Sequence, residues 1–183
     1  MFNFQIARQS FENRSIPIIS QATEIFLGKL LRKLKPKICV EIGGAVGYSG
    51  IYMGEIINTR GGTLTSFEIS YPAYQEGLQN RNKAKCYNII TYPFNILHTP
   101  ITKLIPQKVD FIFIDGQKSQ YGEYMEIVEK ISSPETTILI DDVIKYHNKL
   151  ESLYSFLSKK QIEYKILQLE PDDGVMLIEN VKF

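Results

Sequence analysis

Apolar residues along this chain are distributed in two alternating styles. Ala22, Ile25, Phe26, Leu30 and Leu34 recur at the three-to-four spacing of one helical face, and Pro36 stops the run. KICVEIG follows, apolar through its middle except for Glu41, which predicts a strand covered on both faces. YSGIYMGEII then predicts a helix and GGTLTSFEI a second strand. A helix from about Pro72, the strand CYNIITY, a short helix near Ile101 and the strand KVDFIFID come next. A helix over Tyr121 to Ile131, the strand TTILID and a helix from about Asn148 to Lys159 lead to two closing strands, EYKILQLE and GVMLIENV. The turn-like PDD separates that last pair. Residues 1–16 show no clear period and read as an N-terminal arm or short helix.

Strand–helix alternation of this kind predicts an α/β fold: a Rossmann-like, doubly wound sheet of seven mostly parallel strands. The last two strands are too close in sequence for a crossover connection, so the final strand is expected to run antiparallel. No repeat, low-complexity tract or linker interrupts the pattern, so residues 1–183 read as a single domain. Ligands of such sheets bind outside the carboxyl ends of the strands. Glu68, Asp115, Asp141 and the glycine-rich loop at Gly43 all fall there.

Composition narrows the classes without choosing among them. With 44% hydrophobic and 22% charged residues the chain is that of an ordinary globular protein. A net charge of +1 gives no large basic field for nucleic acid, and the local run RKLKPK reads as a solvated helix end. Cys39 and Cys86 form no metal-like or redox-like pair. With no signal-peptide pattern and no long apolar stretch, the expectation is a cytoplasmic chain with no membrane partner.

The chemistry concentrates in three places. VEIGGAVGYSG sits between a strand and a helix, where a nucleotide-type ligand would bind, but Ala45 and Tyr48 stand where a pyrophosphate fingerprint needs glycine. Gly43 and Gly47 instead suit a turn that a smaller ligand can approach closely, and Glu68 can accept hydrogen bonds from both hydroxyls of a ribose. A nucleoside without pyrophosphate points to S-adenosylmethionine; a turn glycine with a surface glutamate is the plainer alternative. Neighbouring strands lie about 4.8 Å apart. If FIFID and TILID are neighbours, Asp115 and Asp141 emerge side by side with Asp142 adjacent. Three converging carboxylates repel one another unless a cation joins them. All-oxygen ligation favours Mg²⁺, then Mn²⁺ or Ca²⁺, over zinc. A simple loop or helix cap by Asp141 or Asp142 is the competing explanation. If a cation dominates its surroundings, Lys118, three residues past Asp115, can take a proton from a hydroxyl whose own pKa that cation lowers; a merely solvated loop lysine is the plainer alternative.

In this order the segments resemble the cation-dependent, class I S-adenosylmethionine O-methyltransferases, typified by catechol and caffeoyl-CoA O-methyltransferases. The resemblance covers about Pro17 to Val181. It implies that Glu41, Gly43 and Ser49 contact the methionine part of the cofactor, that Glu68 holds the ribose, and that Asn95 and Ile19 lie near the cofactor. FIDGQKSQY resembles the segment carrying the first metal ligand and the catalytic lysine, hence Asp115, counted with both cofactor and metal, and Lys118. LIDDV resembles the segment holding the remaining ligands, with Asp142 where the family has asparagine. PDDGVMLI is similar to the family's closing loop and last strand.

The resemblance implies O-methylation of a small, catechol-like hydroxylated substrate and is compatible with a homodimer. The short N-terminal region and brief loops leave little chain for a dedicated substrate lid. Two other readings stay open. IDGQK followed by tyrosine resembles bacterial enzymes that methylate 5-hydroxyuridine at the tRNA wobble position, and the Asp142 departure would also suit a non-catalytic cofactor-binding protein.

Overall fold

The computed structural model describes residues 2–181. Its centre is a seven-stranded sheet in the order β3-β2-β1-β4-β5-β7-β6. The strands are β1 (Ile38–Ile42), β2 (Thr63–Phe67), β3 (Ile89–Tyr92), β4 (Val109–Ile114), β5 (Ser132–Ile140), β6 (Lys165–Gln168) and β7 (Gly174–Ile178). Neighbours from β3 through β5 are parallel. β7 is antiparallel to both β5 and β6, as the short β6–β7 connection requires.

Side chains alternate across the pleat, and around the central strands β1, β4, β5 and β7 both faces of the sheet are dry. Val40, Ile42, Ile112, Ile114, Ile138 and Ile140 pack on one face. Cys39, Phe111, Phe113, Leu139 and Val175 pack on the other. That is why the strand segments read as continuous apolar runs rather than as alternating ones. On the first face lie α6 (Tyr121–Ile131) and α7 (Glu151–Lys160); on the second lie α2 (Gln21–Leu34) and α3 (Tyr48–Asn58). α4 (Tyr71–Ala84) and the short α5 (Ile101–Leu104) complete the crossovers.

Both ends of α2 follow the sequence signals. Ser20 caps α2 through its side-chain oxygen on the Thr23 N–H at 3.0 Å, and Lys35 closes the helix in the left-handed region just before Pro36. The N-terminal segment is a helix, α1 (Phe4–Asn13), capped by Asn3. It is held by edge-to-face contacts of Phe4 with Tyr48 and Tyr52 at 5.8 and 5.3 Å and of Phe11 with Tyr48 at 6.1 Å. The helix expected from Asn148 is split: a 3-10 turn at His147–Lys149 precedes α7. Among the described residues no helix is long and apolar enough to cross a membrane.

The backbone ladder runs one residue past β4 and β5. The Asp115 N–H donates to the Ile42 carbonyl and the Asp141 N–H to the Ile114 carbonyl, each at 2.9 Å. Ile114 pairs with Ile140, so the two aspartates leave adjacent strands at the same level.

Candidate active site

A cavity of about 590 Å³ opens at the carboxyl ends of the central strands. Ile19, Gly43, Glu68, Asn95, Asp115, Lys118, Asp141 and Asp142 all line it.

The glycine loop forms one half. Gly43 has φ +97°, and the position of its missing side chain lies 2.6 Å from the Asp115 carbonyl carbon and 2.8 Å from the Gly116 Cα. The loops after β1 and β4 therefore cross at a point where only hydrogen fits. Gly47, at φ 84°, starts α3 in the left-handed region. The Glu68 carboxylate is held by the backbone N–H groups of Ala45 and Ser70 at 2.7 and 2.6 Å, and it stands on the cavity wall. Asn95 also reaches the wall while its side chain accepts from the Leu97 N–H at 3.0 Å.

Glu41 and Ser49 are placed differently from the other expected cofactor residues. They do not line the cavity; both are buried beneath the loop. Glu41 accepts hydrogen bonds from Ser49 Oγ and Ser66 Oγ, each at 2.6 Å. Burial pushes its carboxyl up to about 7 in spite of those two bonds, and the charges of Asp115 and Glu68 act in the same upward direction. The folded chain thus holds this proton more tightly than the unfolded chain, whose glutamate titrates near 4.5. Stability is lost as pH rises from that value toward 7. A Glu41→Gln chain keeps the contacts, since serine hydroxyls accept as well as donate, and lacks the titration. Its thermal stability should gain on the parent between pH 5 and pH 8 by at most about 3 kcal/mol, read from paired melts. A constant difference across that range would show that Glu41 does not titrate there.

Acids and a lysine form the other half. Lys118 Nζ donates to Asp115 Oδ1 at 2.6 Å and to the Tyr121 hydroxyl at 2.8 Å, and it pairs with Asp142 Oδ2 at 2.7 Å. Asp141 is buried and accepts from Thr23 Oγ1 at 3.2 Å. Asp142 sits at φ 61°, the left-handed region that aspartate and asparagine tolerate better than most residues. Asp173, from the β6–β7 hairpin, accepts from its neighbour's Gly174 N–H at 2.7 Å and from the Lys145 N–H at 3.3 Å, which ties the hairpin to the loop after β5.

A family model described as O-methyltransferase matches residues 5–178. The chain belongs to the O-methyltransferase family. Among sequence relatives it is 28% identical over 148 residues to a catechol O-methyltransferase of Niastella koreensis, covering 76% of this chain and 65% of that protein. It is 27% identical over 129 residues to a caffeoyl-CoA O-methyltransferase of Stellaria longipes, covering 68% of this chain and 51% of that one. The chain thus spans between half and two thirds of the length of these relatives. Its fold superposes on an O-methyltransferase from Bacillus cereus solved in complex with SAH, with TM-score 0.82, 22% identity and coverage of 96% and 90% of the two chains. An SAH-bound methyltransferase from Podospora anserina gives TM-score 0.83 at 17% identity, covering 100% of this chain and 89% of that one.

In this O-methyltransferase family member the carboxylates repel one another across a partly dry site. Burial drives Asp141 well above the usual carboxylate range, with the charges of Asp115 and Asp142 adding to it. Asp115 is pushed up to about 6 by burial, against the pull of Lys118. Asp173 rises through burial and its hydrogen bond with Asp142. For Lys118 burial acts downward, yet Asp115, Tyr121 and Asp142 together outweigh it and raise its pKa, so the side chain is an ammonium here.

That ammonium bears on the expected cation. Among the described residues no group of three or more His, Cys, Asp or Glu side chains is set to hold a metal ion. Lys118 Nζ stands between Asp115 and Asp142, and Asp141 is turned to Thr23. The donors themselves, three mutually repelling carboxylates, suit a hard divalent cation. Such an ion and the Lys118 ammonium compete for the same oxygens.

Four residues at the site were missed by the sequence reading. Tyr121 reads from the sequence as a helix start and as the tyrosine after IDGQK, and its role as a hydrogen-bond partner of Lys118 is what escapes that reading. Asp173 was counted as part of a turn, yet it lines the cavity. Thr23 sits on a helix whose apolar face was the only signal, and Tyr146 lies in a loop with no pattern to mark it.

Proposed function

We propose that this chain transfers a methyl group from S-adenosylmethionine to a hydroxyl of a small, catechol-like substrate, assisted by a divalent cation, most simply Mg²⁺. The observation that carries this reading is the opening of Gly43, Glu68, Asp115, Lys118, Asp141 and Asp142 onto one cavity at the strand ends. Glu68 would accept the two ribose hydroxyls, and Gly43 would let the methionine part lie against the backbone. Asn95 and Ile19 would flank the cofactor, while Glu41 and Ser49 would act from below by fixing the loop. Asp115, Asp141 and Asp142 would hold the cation, and a cation there supplies positive charge that lowers the pKa of a neighbouring hydroxyl.

Lys118 is the base within reach of such a hydroxyl. It must first lose its hold on Asp115 and Asp142 and release its ammonium proton to water in the cavity, because an ammonium has no lone pair to offer. Its neutral amine then accepts the hydroxyl proton. The oxygen attacks the methyl carbon in line, the carbon–sulfur bond breaks, and the sulfonium leaves as a thioether. Holding oxygen and methyl at near-attack distance can contribute about 7–11 kcal/mol to the rate.

The test is transfer of labelled methyl to catechol with Mg²⁺, repeated in excess chelator and with Asp141→Ala. Transfer should fall at least roughly a hundredfold in both cases, the scale of a lost electrostatic stabiliser. Undiminished transfer in chelator would remove the cation from the mechanism. No transfer to any catechol with Mg²⁺ present would remove the substrate class.

A further inference from the structure

The loop after Asp142 carries a group that the methyl-transfer chemistry leaves unused. The Tyr146 ring has three ammonium groups around it: Lys118 and Lys145 Nζ each lie 5.8 Å from the ring centroid, and Lys149 Nζ lies 5.0 Å away. Lys118 is neutralised by Asp115 and Asp142. Lys145 and Lys149 are exposed and take part in no salt bridge among the described residues. Both line the same cavity as the catalytic lysine. Acidic side chains of the β6–β7 hairpin also line it, but Asp173 is engaged by backbone N–H groups and none of them pairs with either lysine.

Two unneutralised cations on one aromatic ring repel each other, and an anion between them relieves that repulsion. We propose that the acceptor lies against Tyr146 and carries an anionic group, a carboxylate or a phosphate, that Lys145 and Lys149 recognise at the cavity mouth while its hydroxyl faces Lys118. This rests on the methyl-transfer reading above. A small molecule is favoured over nucleic acid by the placement of charge. Binding a phosphate backbone takes a track of several cations. The other basic run, Arg32 to Lys37, precedes the start of β1 and so sits at the opposite end of the sheet from this cavity.

The full chain, with S-adenosylmethionine and Mg²⁺, is assayed on catechol, on protocatechuate, which adds a carboxylate, and on dopamine, which adds an ammonium. The parent should favour protocatechuate over catechol in kcat/KM by roughly tenfold and place dopamine below both, a tenfold step being one well-made charged contact. In the double variant Lys145→Gln with Lys149→Gln the preference should fall toward one, and Lys145→Arg with Lys149→Arg should restore it. A parent preference near one, or one that survives the glutamine pair, overturns the proposal. Calorimetric binding of protocatechuate is measured in parallel. If no acceptor is methylated, the transferase reading fails; binding about tenfold weaker in the glutamine pair still supports the anion site, and equal binding overturns it. If bulk tRNA displaces protocatechuate with a steep salt dependence that the glutamine pair abolishes, the small acceptor is overturned in favour of a nucleic-acid phosphate.

Discussion

Lys118→Met should lower kcat for methyl transfer by roughly 10²- to 10⁴-fold, the range for a lost general base, with S-adenosylmethionine affinity changed much less. The variant carries a second, independent signature that needs no turnover. In the absence of metal the Lys118 ammonium is the charge that joins Asp115 and Asp142, at 2.6 and 2.7 Å. Methionine of similar length keeps the packing and deletes the charge, so two partly buried carboxylates are left facing each other. The loss should be about 1–3 kcal/mol, between the values for exposed and buried ion pairs, because Asp142 is 31% exposed and Lys118 only 13%. It should be larger at pH 8 than at pH 5, since Asp115, pushed up to about 6, takes up a proton over that interval and relieves the repulsion. Added Mg²⁺ should restore the melting temperature of the variant more than it raises that of the parent, since the parent must give up its own cation to admit the ion. Equal melting of variant and parent in chelator would show that Lys118 does not hold the carboxylates together. Equal kcat would show that it is not the base.

The pattern of residues was most informative where one force acts alone. Strands buried on both faces have to be apolar at successive positions, so β1, β4 and β5 could be read directly from KICVEIG, FIFID and TILID, and the acids at their ends marked the cavity. The antiparallel β7 followed from the length of one connection. The start of β5 at Ser132 was less legible. Its first residues, through Glu135, are polar or proline, and they extend only because the strand runs alongside β4, with a register shift between Val109 and Phe111. α1 carries only a short apolar stripe, Phe4, Ala7 and Phe11, too brief to stand out, and its hold comes from three aromatic contacts across to α3 and from Arg8, which donates to the Ile19 carbonyl and pairs with Glu24. At the site, residue type predicted location better than it predicted partners. Glu41 and Ser49 belong to the loop motif, yet they turn to each other beneath it. Asp173 reaches the acids from a hairpin more than thirty positions downstream of Asp142, a proximity that only the tertiary fold creates.

Gly43→Ala should be among the most damaging single changes in the chain. The added methyl would lie against the Asp115 carbonyl oxygen, 2.6 Å from its carbon and 2.8 Å from the Gly116 Cα. All three are backbone atoms at the end of a central strand, so no rotamer change makes room. The residue would also have to hold φ +97°, which side-chain-bearing residues rarely adopt. Backbone strain of about 1–3 kcal/mol and overpacking of similar size act together, for a loss of roughly 2–6 kcal/mol. In a chain of this size that lowers the melting temperature by roughly 10 °C. Gly61→Ala separates the two contributions. Gly61 has φ +71° with nothing within 4 Å of the added carbon, so that variant meets the strain without the collision. It should fall by only a few degrees and bind S-adenosylmethionine as the parent does. The Gly43 variant should instead lose cofactor affinity out of proportion to its stability. The clash pushes apart the loop that the cofactor would lie against on the proposed reading and the residue, Asp115, that begins the carboxylate cluster. If Gly43→Ala melts within a few degrees of Gly61→Ala and binds cofactor normally, the two loops do not need the close crossing seen here.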